Sequence, residues 1–60
     1  MFLKYETTSN EFFAVNPDQV AAIRDFGNDI TEIILASTNT KCYVRKSYID
    51  VLGELNAHQA

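Results

Sequence analysis

Adjacent large apolar residues, inside segments that otherwise alternate with period two, constrain the fold of this chain most. They occur in Phe12-Phe13, in Ile33-Ile34-Leu35 and in Cys42-Tyr43-Val44. Because neighbouring residues of a strand point to opposite faces, both faces of the predicted sheet need cover. One short helix can cover one face only. The sheet therefore either curls into a small barrel or places its second face against another molecule.

Alternation and turn-forming residues predict four strands, at residues 2–7, 11–15, 30–36 and 41–45. Between the second and third of these, Asn16-Pro17-Asp18 predicts a turn or a single helical turn. Residues 20–26 are ambiguous, since Asp18 could cap a short helix there. A strand is favoured, because Gly27-Asn28-Asp29 would then close a hairpin with the strand that follows, with Gly27 or Asn28 at positive φ.

The period changes after Arg45, which predicts a C-terminal helix with Ser47 as its N-cap. Two apolar stripes could face the sheet: Ile49, Leu52 and Leu55, or Tyr48, Val51 and Leu55. We expect the first, with Leu52 central to the packing, and a frayed tail at residues 57–60. The predicted fold is α+β: one domain, residues 1–60, with a small antiparallel sheet of four to five strands followed by one helix.

The small size of the domain makes its core marginal, so a chain of 60 residues needs additional stabilisation. One cysteine, Cys42, cannot form an internal disulfide, and with the single His58 it cannot complete a four-ligand zinc site. No metal or cofactor is therefore expected. Oligomerisation is the remaining source of stability, and we expect a homodimer.

No nucleophile with an adjacent base is visible in the sequence. Cys42 lies within an alternating strand, where a structural role is favoured over a reactive one. The acidic pairs Asp25 with Asp29 and Asp50 with Glu54 are typical of solvated charges rather than of a general acid and base. We expect no catalytic residues and no enzymatic activity.

Charge and hydropathy narrow the class of partner. No apolar run approaches the roughly 18 residues that a membrane span needs, and the N-terminus does not resemble a secretory signal. A cytoplasmic protein without membrane contact is expected. Eight acidic residues outnumber five basic ones, which disfavours nucleic acid as a partner. The nucleic-acid alternative rests on the basic and aromatic cluster of Lys41, Tyr43, Arg45 and Lys46, which could bind a single strand by stacking and charge.

Residues 2–55 together follow a recognisable order. The matching segments are Phe12–Asp18, Ala22-Ile23, Thr31–Leu35 and Tyr43–Ser47, followed by Val51 and Leu55. In this order and spacing the chain resembles the small FlbD-type proteins of bacterial flagellar systems, and the resemblance implies a sheet-plus-helix fold and a regulatory role. The chain departs from that pattern in its turns, which lack Asn-Gly, and at Lys46, where the family tends to carry Glu.

These observations favour a small regulatory or adaptor protein that acts by binding another protein. The partner would meet either a strand edge or an uncovered sheet face carrying Phe2, Phe12, Ile34 and Tyr43. Two alternatives stay open at the level of sequence. One is a phage-encoded inhibitor of a host protein, and the other is a single-stranded nucleic-acid-binding module.

Overall fold

The computed structural model describes residues 1–59 and confirms the α+β class, with five antiparallel strands in two sheets and one C-terminal helix. The elements are β1 (Leu3–Glu6), β2 (Phe12–Val15), a 3₁₀ turn (Pro17–Gln19), β3 (Val20–Gly27), β4 (Ile30–Leu35), β5 (Lys41–Val44) and α1 (Tyr48–Gln59). Residues 20–26 are thus in a strand, as favoured from the sequence.

The strands form a two-stranded sheet, β1-β2, and a three-stranded sheet in the order β3-β4-β5. A bridge between Thr7 and Val44 joins the two sheets, supported by a hydrogen bond from the Thr8 amide to the Tyr43 carbonyl at 3.0 Å. The end of β1 therefore lies beside the end of β5. Within residues 1–59 no pairing joins β2 to β3, so the strands do not close into a barrel.

The connections follow from their local chemistry. Asn16 caps the 3₁₀ turn, since its Oδ1 accepts a hydrogen bond from the Asp18 amide at 3.0 Å, and Pro17 is buried beneath it. Asn28 and Asp29 have φ of 54° and 57° and form the hairpin turn between β3 and β4. Positive φ at both central residues gives the primed turn whose twist matches paired strands. The predicted hairpin is confirmed.

The helix begins where predicted, because Ser47 Oγ accepts a hydrogen bond from the Asp50 amide at 3.3 Å. It continues through Gln59 and so includes residues 57–59 of the tail that was predicted to fray. Position 60 of that tail lies outside the described residues.

The helix packs on the sheet through the second of its two stripes. Val51 is 0% and Leu55 5% exposed, whereas Ile49 is 78% and Leu52 37% exposed. The expectation that Leu52 is central to the packing was wrong. The two stripes are offset by one residue and both are apolar. The rotation of the helix about its axis therefore determines which stripe faces the sheet, and the sequence pattern alone does not.

The core lies between the inner faces of both sheets and the helix. Its buried residues are Tyr5, Val15, Ile33, Val44, Val51 and Leu55. A polar cluster at one side of this core links the first strand to the last helix. Glu54 accepts a hydrogen bond from the Tyr5 hydroxyl at 2.8 Å and pairs with Lys46 Nζ at 2.6 Å. Glu54 is therefore not the merely solvated charge that its i,i+4 spacing from Asp50 predicted.

Candidate protein-binding surface

One face of the three-stranded sheet carries side chains that point away from the core, and we call it the outer face. In its central row, Arg24, Glu32 and Tyr43 lie side by side across the three strands. The helix and the core lie against the opposite face. The outer face consists of Ala22, Arg24, Phe26, Ile30, Glu32, Ile34, Lys41 and Tyr43.

An apolar groove runs along one end of the outer face. The rings of Phe26 and Tyr43 meet edge to face, with centroids 5.1 Å apart and planes at 64°. Together with Ile30 and Thr8 they line a shallow groove of about 180 Å³. Phe26 nevertheless remains 53% exposed. The groove therefore offers aromatic surface that the fold itself does not use.

Beside this groove lies a buried carboxylate, that of Glu32, which is 1% exposed. Its Oε1 pairs with Arg24 Nε at 3.0 Å, although the Arg24 side chain is itself 63% exposed. Within the described residues, Glu32 Oε2 is buried without a hydrogen-bond partner. A buried polar atom left unpaired costs about 1–3 kcal/mol. The centre of the outer face thus carries a polar group that the isolated chain satisfies only by half.

The carboxylate of Glu32 shifts the pKa of the Tyr43 hydroxyl. This pKa is raised, chiefly by hydrogen bonding to Glu32, then by desolvation and by the negative charge of Glu32, whereas the positive charge of Arg24 lowers it. Glu32 Oε2 nonetheless has no hydrogen-bond partner within residues 1–59. Tyr43 is therefore electrostatically coupled to Glu32 without satisfying it.

The four residues expected to bind a partner lie on two different sheets. Ile34 and Tyr43 belong to the outer face and are partly buried. Phe12 lies in β2 and Phe2 directly precedes β1, and the two side chains are 71% and 68% exposed. Lys4 Nζ stands 4.5 Å from the centre of the Phe12 ring. The hairpin and the outer face are thus two separate apolar surfaces rather than one sheet face.

The basic residues of the nucleic-acid alternative are only partly free. Lys41 and Tyr43 lie on the outer face, as the alternation predicts. The Arg45 guanidinium donates hydrogen bonds to the carbonyl oxygens of Thr7 and Thr8, at 3.2 and 3.0 Å. Lys46 pairs with Glu54. Two of the three cations therefore hold the chain's own elements together.

No protein-family model, curated protein or solved structure matches this chain.

The thiol of Cys42 is partly buried on β5, and burial raises its pKa. A raised pKa lowers the fraction of thiolate, the form that acts as a nucleophile. The part of the chain that the structure describes contains no group of three or more His, Cys, Asp or Glu side chains placed to hold a metal. No helix within residues 1–59 has both the length and the apolar character needed to cross a membrane.

Sequence reasoning missed five members of the outer face: Ala22, Arg24, Phe26, Ile30 and Glu32. The signal for Phe26 was present, because Ala22, Arg24 and Phe26 share a period of two and so one face of β3. That signal became usable only with β3 established as a strand. Glu32 gave no signal at all, since its burial depends on side chains from the two neighbouring strands.

Proposed function

We propose that this chain is a non-catalytic regulatory or adaptor protein that binds another protein through the outer face and also associates with itself as a homodimer. One observation carries the proposal: the exposed Phe26–Tyr43 groove lies beside a buried carboxylate oxygen that has no hydrogen-bond partner within residues 1–59. Exposed aromatic side chains are typical anchors of protein interfaces, and a partner that donates a hydrogen bond to the unpaired oxygen removes the cost of leaving it unpaired.

A protein partner can use each part of this surface. An apolar side chain in the groove gains the burial of aromatic area, at about 25 cal/mol per Å² removed from water. A backbone or side-chain N–H of the partner, placed over Glu32, supplies the missing hydrogen bond after a small shift of the Tyr43 ring. Arg24 and Lys41, the two cations of the outer face, favour a partner that presents acidic groups there.

The resemblance to FlbD-type proteins is part of this proposal, because it would make the chain a bacterial regulator. Nucleic acid is less well supported as a partner. Arg45 and Lys46 are engaged within the chain, and the net charge is −3. Binding to phosphates draws on several free cations, each of which adds to the affinity.

A capture experiment with two matched variants tests the proposal. The full chain, Phe26→Ser and Phe12→Ser are immobilised and exposed to lysate of the native host, and retained proteins are identified by mass spectrometry. Both changes remove an exposed phenylalanine, one from the outer face and one from the hairpin. Each retained protein is then purified and titrated against the three chains.

We expect a protein that binds the parent and Phe12→Ser chains equally and binds Phe26→Ser at least about tenfold more weakly, which corresponds to the loss of one hot-spot residue. A partner whose affinity is unchanged by Phe26→Ser, or is lost only with Phe12→Ser, would contradict the assignment to the outer face. Circular dichroism of both variants verifies that the fold is retained.

A further inference from the structure

Strand β3 forms an open edge of the three-stranded sheet. It is the longest strand, with eight residues, and within the described residues it pairs with β4 only. An open edge presents unpaired amide and carbonyl groups that can accept a further strand. Among the strands of this chain, β3 thus offers the longest run of backbone to a partner.

The helix lines the inner side of this same edge. A groove of about 210 Å³ lies between β3 at residues 20–23 and the helix at Leu52, Leu55 and Asn56. A second groove of about 230 Å³ continues towards the other end of β3, where Ile49 and Tyr48 face residues 27–29. The open edge is therefore bordered by the helix along most of its length.

The helix side chains at this border are apolar and exposed. Ile49 is 78% and Leu52 37% exposed, and they form the stripe that does not face the core. Exposed aliphatic residues are common singly, but here two lie one turn apart and beside an unpaired strand edge. The strand edge and this stripe together form one composite surface.

We propose that a second copy of this chain occupies that surface, with its β3 added antiparallel to β3 of the first and the Ile49–Leu52 stripes of the two helices in contact. This inference rests on the homodimer part of the proposed function. Antiparallel pairing of two identical edges requires a two-fold axis perpendicular to the sheet. Such an axis places both helices on the same side of a six-stranded sheet. A lone foreign strand would fill the edge but would supply no second helix to cover Ile49.

The charges and bulges of β3 restrict the register. Register shifts at its two ends leave residues 22–25 as the regular segment. Opposed residues must share a face, so the axis has to pass through a residue position. The two positions in the middle of this segment are Ile23 and Arg24. An axis at Arg24 opposes two arginines, which is unfavourable. With the axis at Ile23, each Ala22 lies opposite Arg24 of the second copy.

This register makes Ala22 a position where charge tests the interface. Ala22 is exposed in the single chain, so substitutions there do not disturb the core. Ala22→Lys would bring two pairs of like charges together, and Ala22→Glu two pairs of opposite charges. With each cross-strand charge pair contributing modestly, we expect the dimer dissociation constant to rise about 2- to 30-fold for Ala22→Lys and to fall by a similar factor for Ala22→Glu.

Sedimentation equilibrium of the full chain across a dilution series measures both effects, with Ile49→Lys and Phe12→Ser as further variants. The proposal predicts a reversible dimer in the parent, opposite shifts for the two Ala22 variants, a weaker dimer for Ile49→Lys and no change for Phe12→Ser, which alters the β1-β2 hairpin instead. Circular dichroism verifies that each variant folds.

Three results would overturn it. Equal or parallel shifts for the two Ala22 variants exclude the register. A dimer that is lost with Phe12→Ser but not with Ile49→Lys excludes the β3 edge and places self-association on the β1-β2 hairpin. A parent that sediments as a monomer at high micromolar concentration excludes the dimer altogether, and leaves partner binding at the outer face to be judged by the capture experiment.

Discussion

The rotation of the helix on the sheet leads to a sharp prediction about three aliphatic residues. Leu55 is 5% exposed, Leu52 37% and Ile49 78%. Truncating a buried leucine to alanine costs about 2–5 kcal/mol, because transfer and cavity terms add. A domain of this size has a total stability of only about 3–9 kcal/mol. Taken at the middle of both ranges, Leu55→Ala should therefore remove about half of the stability.

The other two variants should be milder in a definite order. Ile49→Ala should change the stability of the single chain by less than about 0.5 kcal/mol, as for other exposed sites, and Leu52→Ala should fall between the two. Urea denaturation at low protein concentration, where dissociation is complete, measures all three free energies of unfolding. A Leu55→Ala chain as stable as the parent, or an Ile49→Ala chain as unstable as Leu55→Ala, would refute this orientation of the helix.

Three further predictions follow from the charged groups. Burial and the hydrogen bond to Glu54 raise the pKa of Tyr5, so the free energy of unfolding should fall as pH rises above the usual tyrosine value of 10.0. Denaturation at a series of pH values should show a smaller fall for Tyr5→Phe, and an equal fall would count against the contact. The hydrogen bond from Lys46 lowers the pKa of Glu54, so the stability that the Lys46–Glu54 pair contributes should be present above the usual value of 4.5 and lost as pH falls below it. Lys46→Met should therefore reduce the loss of stability at acid pH in the same denaturation series. Fluorescence anisotropy at about 150 mM salt should show only weak nucleic-acid binding; sub-micromolar binding that Lys41→Ala with Arg45→Ala abolishes would reverse the choice of partner.

The local features of the fold were predictable because their causes are local. Pro17 and the Asn16 cap fix the 3₁₀ turn, and the turn residues Asn28 and Asp29 fix the β3-β4 hairpin. The helix start is set by Ser47. Each of these depends on residues within a few positions of one another, which is the range over which sequence patterns are informative.

What could not be predicted depends on contacts between distant segments. Glu54 is 49 residues from Tyr5 along the chain, so no local pattern indicated the hydrogen bond between these two side chains. The i,i+4 spacing of Glu54 from Asp50 suggested a solvated face instead. The choice between the two helical stripes likewise depends on how the helix meets the sheet. At the outer face, Tyr43 was identified from its strand, but the buried Glu32 beside it required the strand order.

Hydrogen exchange of the parent chain, measured from nanomolar to high micromolar concentration, tests most directly the central claim that the open edge of β3 binds a second copy of this chain. The account predicts that amides of residues 22–25 in β3 exchange more slowly as the concentration rises, whereas those of β2, the other open edge, do not change. Exchange that is independent of concentration throughout, or protection that develops in β2 instead of β3, would contradict it.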